Sequence, residues 1–427
     1  MAGGAGAPAV PSSLKNGASE VVNIDAIIDR LMIRYQRQAG DAFDRTNMIE
    51  SILADMEFVF NRNIGKADII TRLRKVVEYK NQLQLLQNLP KLEQRTPAWY
   101  DARNNMITAS DYAQSVGFGK FGTQKQFFEK KCGYEVDKFD STMPALKWGI
   151  MFEPVAAAAY SMKNEGVVVH DFGLLRHPKI GHLGASPDGI SELGIMIEIK
   201  CPWRRKITGD IPLQYYYQMQ GQLDVCGLDE CDYLECGFSV YEDKAEFVDD
   251  FHESKNFKGV VLELEDGTYE YADSAIWNDA EKQLEWVKGV ESRSTVIAHK
   301  FWKLHTYSVL RVYRDDDFLA DTYNKLTNVW QNVVSFKGDK ARYDFYMNGA
   351  SSTSARGARQ EKTHVTIDTP TPKSLASKPN GFDGYAFVDE GDDPETKHKK
   401  TEIRHPLAIA RQAPSNRFAA YAFVDDA

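Results

Sequence analysis

Ser186-Pro187-Asp188-Gly189, followed after a short turn by Ile195-Met196-Ile197-Glu198-Ile199-Lys200-Cys201-Pro202, is the stretch whose reading decides this chain. In the second segment Ile195, Ile197 and Ile199 alternate with Met196, Glu198 and Lys200. In a strand, that period of two sends the isoleucines to one side and sets Glu198 and Lys200 next to each other on the other. Asp188, at the end of the preceding strand, reaches the same face through a hairpin. Two carboxylates and an ammonium converging on one spot suit a hard cation such as Mg2+, which takes oxygen ligands, keeps several waters and acidifies one of them. That is the chemistry of phosphodiester cleavage. A Glu-x-Lys triplet alone is ordinary on an exposed strand, so the flanking sequence has to carry the rest.

Upstream runs Arg95-Thr96-Pro97-Ala98-Trp99-Tyr100-Asp101-Ala102-Arg103, continuing to Ser110, and then Leu146-Lys147-Trp148-Gly149-Ile150-Met151-Phe152-Glu153-Pro154, opening a helical run from Val155 to Tyr160. Downstream lies Tyr215-Tyr216-Tyr217-Gln218-Met219-Gln220-Gly221-Gln222-Leu223. In order and spacing these motifs resemble the lambda-exonuclease/YqaJ viral recombinase family of the PD-(D/E)xK nucleases, over about residues 92–241. The resemblance implies an α/β, restriction-endonuclease-like core, a mixed sheet flanked by helices. It also implies that Asp188 and Glu198 ligate metal with the Ile199 carbonyl, that Lys200 orients or activates water, and that Glu153 is a further acidic ligand. Gln218 then lines the site from a later helix, and Arg103, Ser110 and Ser186 hold a 5′-terminal phosphate. An arginine fork and two hydroxyls suit phosphate oxygens on chemical grounds as well.

Plainer readings stand beside these. Arg103 can pair with Asp101, Glu153 can favour a helix N-terminus, and Trp99 and Trp148 read as core aromatics. The Tyr215–Tyr217 run reads as helix packing, and Gln214, Gln218 and Gln222 form one helix face that could simply meet water.

The activity implied is a Mg2+-dependent 5′-to-3′ exodeoxyribonuclease, with Mn2+ able to substitute, acting on double-stranded DNA ends and leaving 3′ single-stranded tails for recombination or repair. Rival expectations are an endonuclease, an RNA-degrading relative using the same site, or a non-catalytic DNA-end-binding adaptor. A homo-oligomer, often a trimeric ring, is also implied by the family. A net charge of −9 does not exclude DNA, because a local groove is not set by the total. Arg72, Arg74 and Lys75, then Lys125, Lys130 and Lys131, then Lys200, Arg204, Arg205 and Lys206 are the candidate basic path.

The organisation read from composition is a flexible arm at 1–20, a helical domain at 21–90, the nuclease domain at 91–345 and a disordered tail at 346–427. Residues 258–272 read as a hairpin turning at Asp266-Gly267, and about 274–302 and 314–336 read as helices. In the tail, Phe382-Asp383-Gly384-Tyr385-Ala386-Phe387-Val388-Asp389 recurs as Phe418-Ala419-Ala420-Tyr421-Ala422-Phe423-Val424-Asp425. Twin motifs of this kind suit a partner's groove, such as a single-strand annealing protein or another replication or recombination protein; the alternative is a tail folding back on its own core. Nothing in the sequence reads as a signal peptide or a membrane span, which points to cytoplasm, nucleus or a viral replication site. Cys132, Cys201, Cys226, Cys231 and Cys236 lack zinc-site spacing and read as buried or incidental thiols.

Overall fold

The computed structural model describes residues 23–40, 45–60, 62–92, 94, 96–134, 143–352 and 383–385. The expected arm at 1–20, and most of the tail with the second copy of its repeat, lie outside them. Three helices come first, α1 (Ile24–Ala39), α2 (Arg45–Phe58) and α3 (Lys66–Gln87). Next come α4 (Pro97–Asn104), β1 (Ile107–Thr108), α5 (Tyr112–Ser115), α6 (Gln124–Cys132) and α7 (Pro144–Lys163). Five short strands follow, β2 (Val169–His170), β3 (Leu175–Arg176), β4 (Leu183–Ala185), β5 (Gly189–Ser191) and β6 (Met196–Lys200). The chain continues through α8 (Leu213–Cys226), β7 (Glu230–Val240), α9 (Lys244–Asp249), β8 (Lys258–Leu264), β9 (Tyr269–Tyr271), α10 (Ala280–Glu291), β10 (Val296–Tyr313), α11 (Asp316–Phe336) and α12 (Lys340–Ser352). The main sheet runs β2-β5-β6-β7-β10-β8-β9, and β1-β4-β3 form a smaller one. This is the expected mixed sheet flanked by helices.

β6 and β7 are parallel neighbours, with Glu198 beside Tyr233 and Lys200 beside Glu235. Parallel pairing needs a crossover, and α8 supplies it. Tyr215, Tyr216, Met219 and Leu223 of α8 pack on Met196, Tyr233, Leu310 and Val312 of one sheet face. Burial of each such side chain contributes about 1.5–3 kcal/mol. The other face, with Ile195, Ile197, Ile199, Leu234 and Val309, packs on Phe152, Val155 and Ala159 of α7, and the same core takes in α1, α2 and α3 through Ile28, Leu31, Ile52, Ile69 and Val76. The three N-terminal helices thus share an apolar core with the sheet.

Several expectations are corrected. The stretch expected as helix to residue 302 turns into β10, an 18-residue strand. Its run of β-branched and aromatic residues prefers a pleated surface, and it pairs with β7 along 302–313 and with β8 along 296–303. Glu153 is not near a helix start, because α7 begins at Pro144 and continues through Pro154. The hairpin at 258–272 forms as expected, with Gly267 at φ +80° in its turn. Gly189 has a different cause: a β-carbon there would stand 2.4 Å from Val169 Cγ1, so the glycine admits β2. A further strand, β11 (Asp383–Tyr385), pairs antiparallel with Val309–Arg311 of β10 and comes from the first copy of the tail repeat.

Two members of the expected basic path are fully buried. Arg72 is 2% exposed and bridges α3 to Asp29 of α1 and Glu230 of β7, each at 2.6 Å. Arg311 of β10 joins the same cluster, 2.5 Å from Glu230 and 2.6 Å from Asp232. Tyr79 also donates to Glu230, at 2.9 Å, and Tyr160 to Asp232, at 2.6 Å. Lys131, the second, is 3% exposed and lies 2.8 Å from Asp111.

Arg72→Met would remove one of the two guanidiniums that pair with the buried carboxylates. Its unfolding free energy in urea is expected to fall by about 3–5 kcal/mol. Burial opposes the Glu230 charge, but Arg311 and Arg72 outweigh it and hold the carboxyl well below its usual 4.5. A carboxyl depressed in the folded state adds stability that is present above the unfolded pKa and is lost as pH falls toward the folded one. The melting temperature of the wild type is therefore expected to drop steadily below about pH 4.5, and less steeply in Glu230→Gln.

Candidate active site

β4 ends at Ala185, and Ser186-Pro187-Asp188 carries the chain to β5. Gly189 of β5 is in register with Ile197 of β6, which delivers Asp188 to the end of β6. There its Oδ2 accepts the backbone N–H of Ile199 at 2.8 Å. Glu198, one residue earlier on β6, is fully buried. Its Oε2 accepts from Gln222 Nε2 at 2.8 Å, and its Oε1 lies 2.5 Å from Lys200 Nζ. The Lys200 ammonium also stands 4.8 Å from the centre of the Tyr215 ring.

The charges explain one another. Burial and the nearby Glu198 push the Asp188 carboxyl up to about 7, against the pull of Lys200 and the Ile199 N–H. Burial works against the Lys200 ammonium, but Glu198 and Asp188 hold its pKa well above the usual range. Lys200 is therefore a hydrogen-bond donor at neutral pH.

A second group lines the same cleft from the N-terminal side. Arg103, at the end of α4, is 5% exposed, and its guanidinium lies 4.5 Å from the centre of the Trp99 ring. Its Nη2 donates to Thr108 Oγ1 and to Ser110 Oγ, each at 3.1 Å. Thr108 in turn donates to Asp111 at 2.8 Å. Burial disfavours the Asp111 charge, but Lys131 and Arg103 outweigh it and lower the carboxyl's pKa below the usual range. Ser186 Oγ is buried and has no hydrogen-bond partner among the described residues, the state expected of a donor waiting for a ligand.

Arg103, Ser110, Glu153, Ser186, Asp188, Ile199, Lys200 and Gln218 all line one cleft of about 80 Å3. Glu198 sits behind it, reached through Lys200 and Gln222. The sequence-predicted residues are thus brought together, although Gln218 and Gln222 are 9% and 1% exposed and do not form the water-facing surface weighed as the plainer reading. Gln222 was not assigned a role, yet it holds Glu198 directly. Its signal was present in its position one helical turn after Gln218. Thr108 and Trp203 also line the cleft unassigned. Trp99, read as core, is 1% exposed and yet lines the cleft.

The donor set fits a hard divalent cation. Its atoms are oxygens, and the burial and the neighbouring Glu198 that raise the Asp188 pKa disfavour a charge that such an ion would stabilise. Among the described residues no group of three or more carboxylate, imidazole or thiol side chains stands close enough to hold a metal. The cysteines give no alternative centre: all five are free, and Cys201, Cys226, Cys231 and Cys236 are buried.

Residues 98–229 match the YqaJ-like viral recombinase domain. A protein of Acanthamoeba polyphaga mimivirus is 29% identical over 192 residues, covering 41% of this chain and 34% of that one. A protein of African swine fever virus is 24% identical over 159 residues, covering 31% of this chain and 46% of that one. The chain thus spans less than half the length of either relative. Among solved structures, an alkaline exonuclease from Laribacter hongkongensis aligns over 60% of this chain and 100% of its own, with 21% identity and a TM-score of 0.36.

Gln222→Leu is expected to strip Glu198 of its only amide donor among the described residues. The cost is about 1.5–3 kcal/mol of unfolding free energy, the range for a hydrogen bond to a charged group, read by chemical denaturation.

Proposed function

We propose that this chain, whose residues 98–229 carry a YqaJ-like viral recombinase domain, is a Mg2+-dependent 5′-to-3′ exodeoxyribonuclease acting on duplex DNA ends. The observation that carries the reading is the convergence of Asp188, Lys200 and the Arg103–Ser110–Ser186 group on one cleft, with Glu198 directly behind.

Asp188 and Glu198, with the Ile199 carbonyl, would hold the cation, and Glu153 lines the cleft close to them. A bound Mg2+ supplies charge relief on the phosphate and a more acidic water. The rest is done by the chain's own groups. Lys200, held as an ammonium by Glu198 and Asp188, donates to the attacking water or to a phosphate oxygen and cannot serve as the base in that state. Gln222 keeps Glu198 aimed, and Tyr215 walls the ammonium from solvent. Water attacks phosphorus, the P–O3′ bond breaks, and the leaving 3′-oxygen takes a proton. The released nucleotide carries a 3′-hydroxyl, and the shortened strand carries a new 5′-phosphate. Arg103, Ser110 and Ser186 would receive that phosphate, since a guanidinium and two hydroxyls donate to its oxygens. Each cut thereby regenerates the group the pocket recognises.

The test is digestion of linear duplexes bearing a 5′-phosphate or a 5′-hydroxyl, and of closed circles, with Mg2+. Loss of the 5′ strand from phosphorylated linear DNA is expected, abolished by chelator and reduced at least 100-fold in Lys200→Ala, the scale of removing one positioned donor. Ser186→Ala is expected to narrow the preference for phosphate over hydroxyl. Cutting of the circle would sink the exonuclease assignment.

A further inference from the structure

The segment after β6 reads in sequence as a uniform basic run, Arg204-Arg205-Lys206, preceded by Trp203. The structure divides it. Arg205 turns inward, its Nη2 2.5 Å from Glu235 Oε1. Glu235 is fully buried on β7, in register with Lys200 of β6, and Tyr233 donates to the same carboxylate oxygen at 2.9 Å. One buried carboxylate beside the candidate catalytic lysine therefore ties down the loop that leaves it.

What the anchor holds in place is Trp203. It is half-buried and lines the cleft that Arg103, Asp188 and Lys200 line. The exposed Arg204 guanidinium lies 4.0 Å from the centre of its ring, and no acidic residue pairs with Arg204 among the described residues. Trp99, the other indole of the wall, is fully buried beneath Arg103. An indole kept partly open at a polar cleft, with an exposed cation on its ring, offers an aromatic surface for a base and a charge for the adjoining phosphate.

We propose that Trp203, backed by Arg204, is a nucleobase-stacking platform of this cleft, and that Arg205 and Glu235 are its positioning residues. The proposal rests on the nucleic-acid reading above and adds the element that contacts a base. Stacking is tolerant of base identity because every base has a π-face, so the platform grips a terminal nucleotide without selecting sequence.

The experiment measures binding of the full chain to fluorescein-labelled 5′-phosphorylated duplex in chelator, where no cutting occurs. An abasic residue is walked through the first few nucleotides from the 5′ end. Wild type is expected to lose affinity on the order of tenfold at one abasic position. Trp203→Ala is expected to lose a similar factor on intact DNA and to become indifferent to that abasic position, while Trp203→Phe retains most of both. If Trp203→Ala keeps the wild-type ratio between intact and abasic DNA, the ring does not touch a base and the proposal falls, with the nuclease reading untouched. Absence of binding by the wild type would overturn both.

Discussion

A carboxylate fully buried in a sheet is the constraint on which the site depends. Glu198 has no access to water, and an unpaired charge in that position would be neutralised or would unfold its surroundings. Lys200 reaches it along the same strand, and Gln222 reaches it from the helix above. Gln222 can do so only if α8 lies flat on the sheet, which the packing of Tyr215, Met219 and Leu223 ensures. The crossover helix required by parallel pairing of β6 and β7 is therefore also the element that brings an amide donor to the buried acid.

The opposite face carries its own buried charges. Arg72 and Arg311 meet Asp29, Glu230 and Asp232 between the N-terminal helices and the sheet. Such clusters are weak evidence for net stability, but they penalise misplacement heavily. Here they fix α1 and α3 against β7 and β10, so the strands bearing the site are held from both sides. The arginine in an expected DNA path is spent on this internal contact. The same happens to Lys131, which steadies Asp111 and through Thr108 the Arg103 group, and to Arg205, which anchors a loop. A chain with net charge −9 thus presents fewer basic residues to a ligand than its linear clusters suggest. Arg103 and Lys200 line one cleft, and Arg204 lies over the ring of Trp203 in its wall, which concentrates attraction for an anionic end.

The sequence by itself determined the strand with Glu198 and Lys200 and the arrival of Asp188 beside it. These depend on local period and on short-range register, which the pattern of isoleucines and the Ser-Pro-Asp-Gly turn record directly. The hairpin at Asp266-Gly267 was legible for the same reason. Tertiary structure alone decided that both faces of β6 are buried, that Glu153 lies deep within α7, and that residues 296–313 form one long strand instead of the end of a helix. The fate of each cation was equally beyond the sequence. Arg204 and Arg205 are neighbours with the same side chain, and only the buried Glu235 on a distant strand separates one that lies exposed over Trp203 from one that is turned inward. Charge pairing across long sequence separations leaves no local pattern, because it is set by which strands the fold brings side by side.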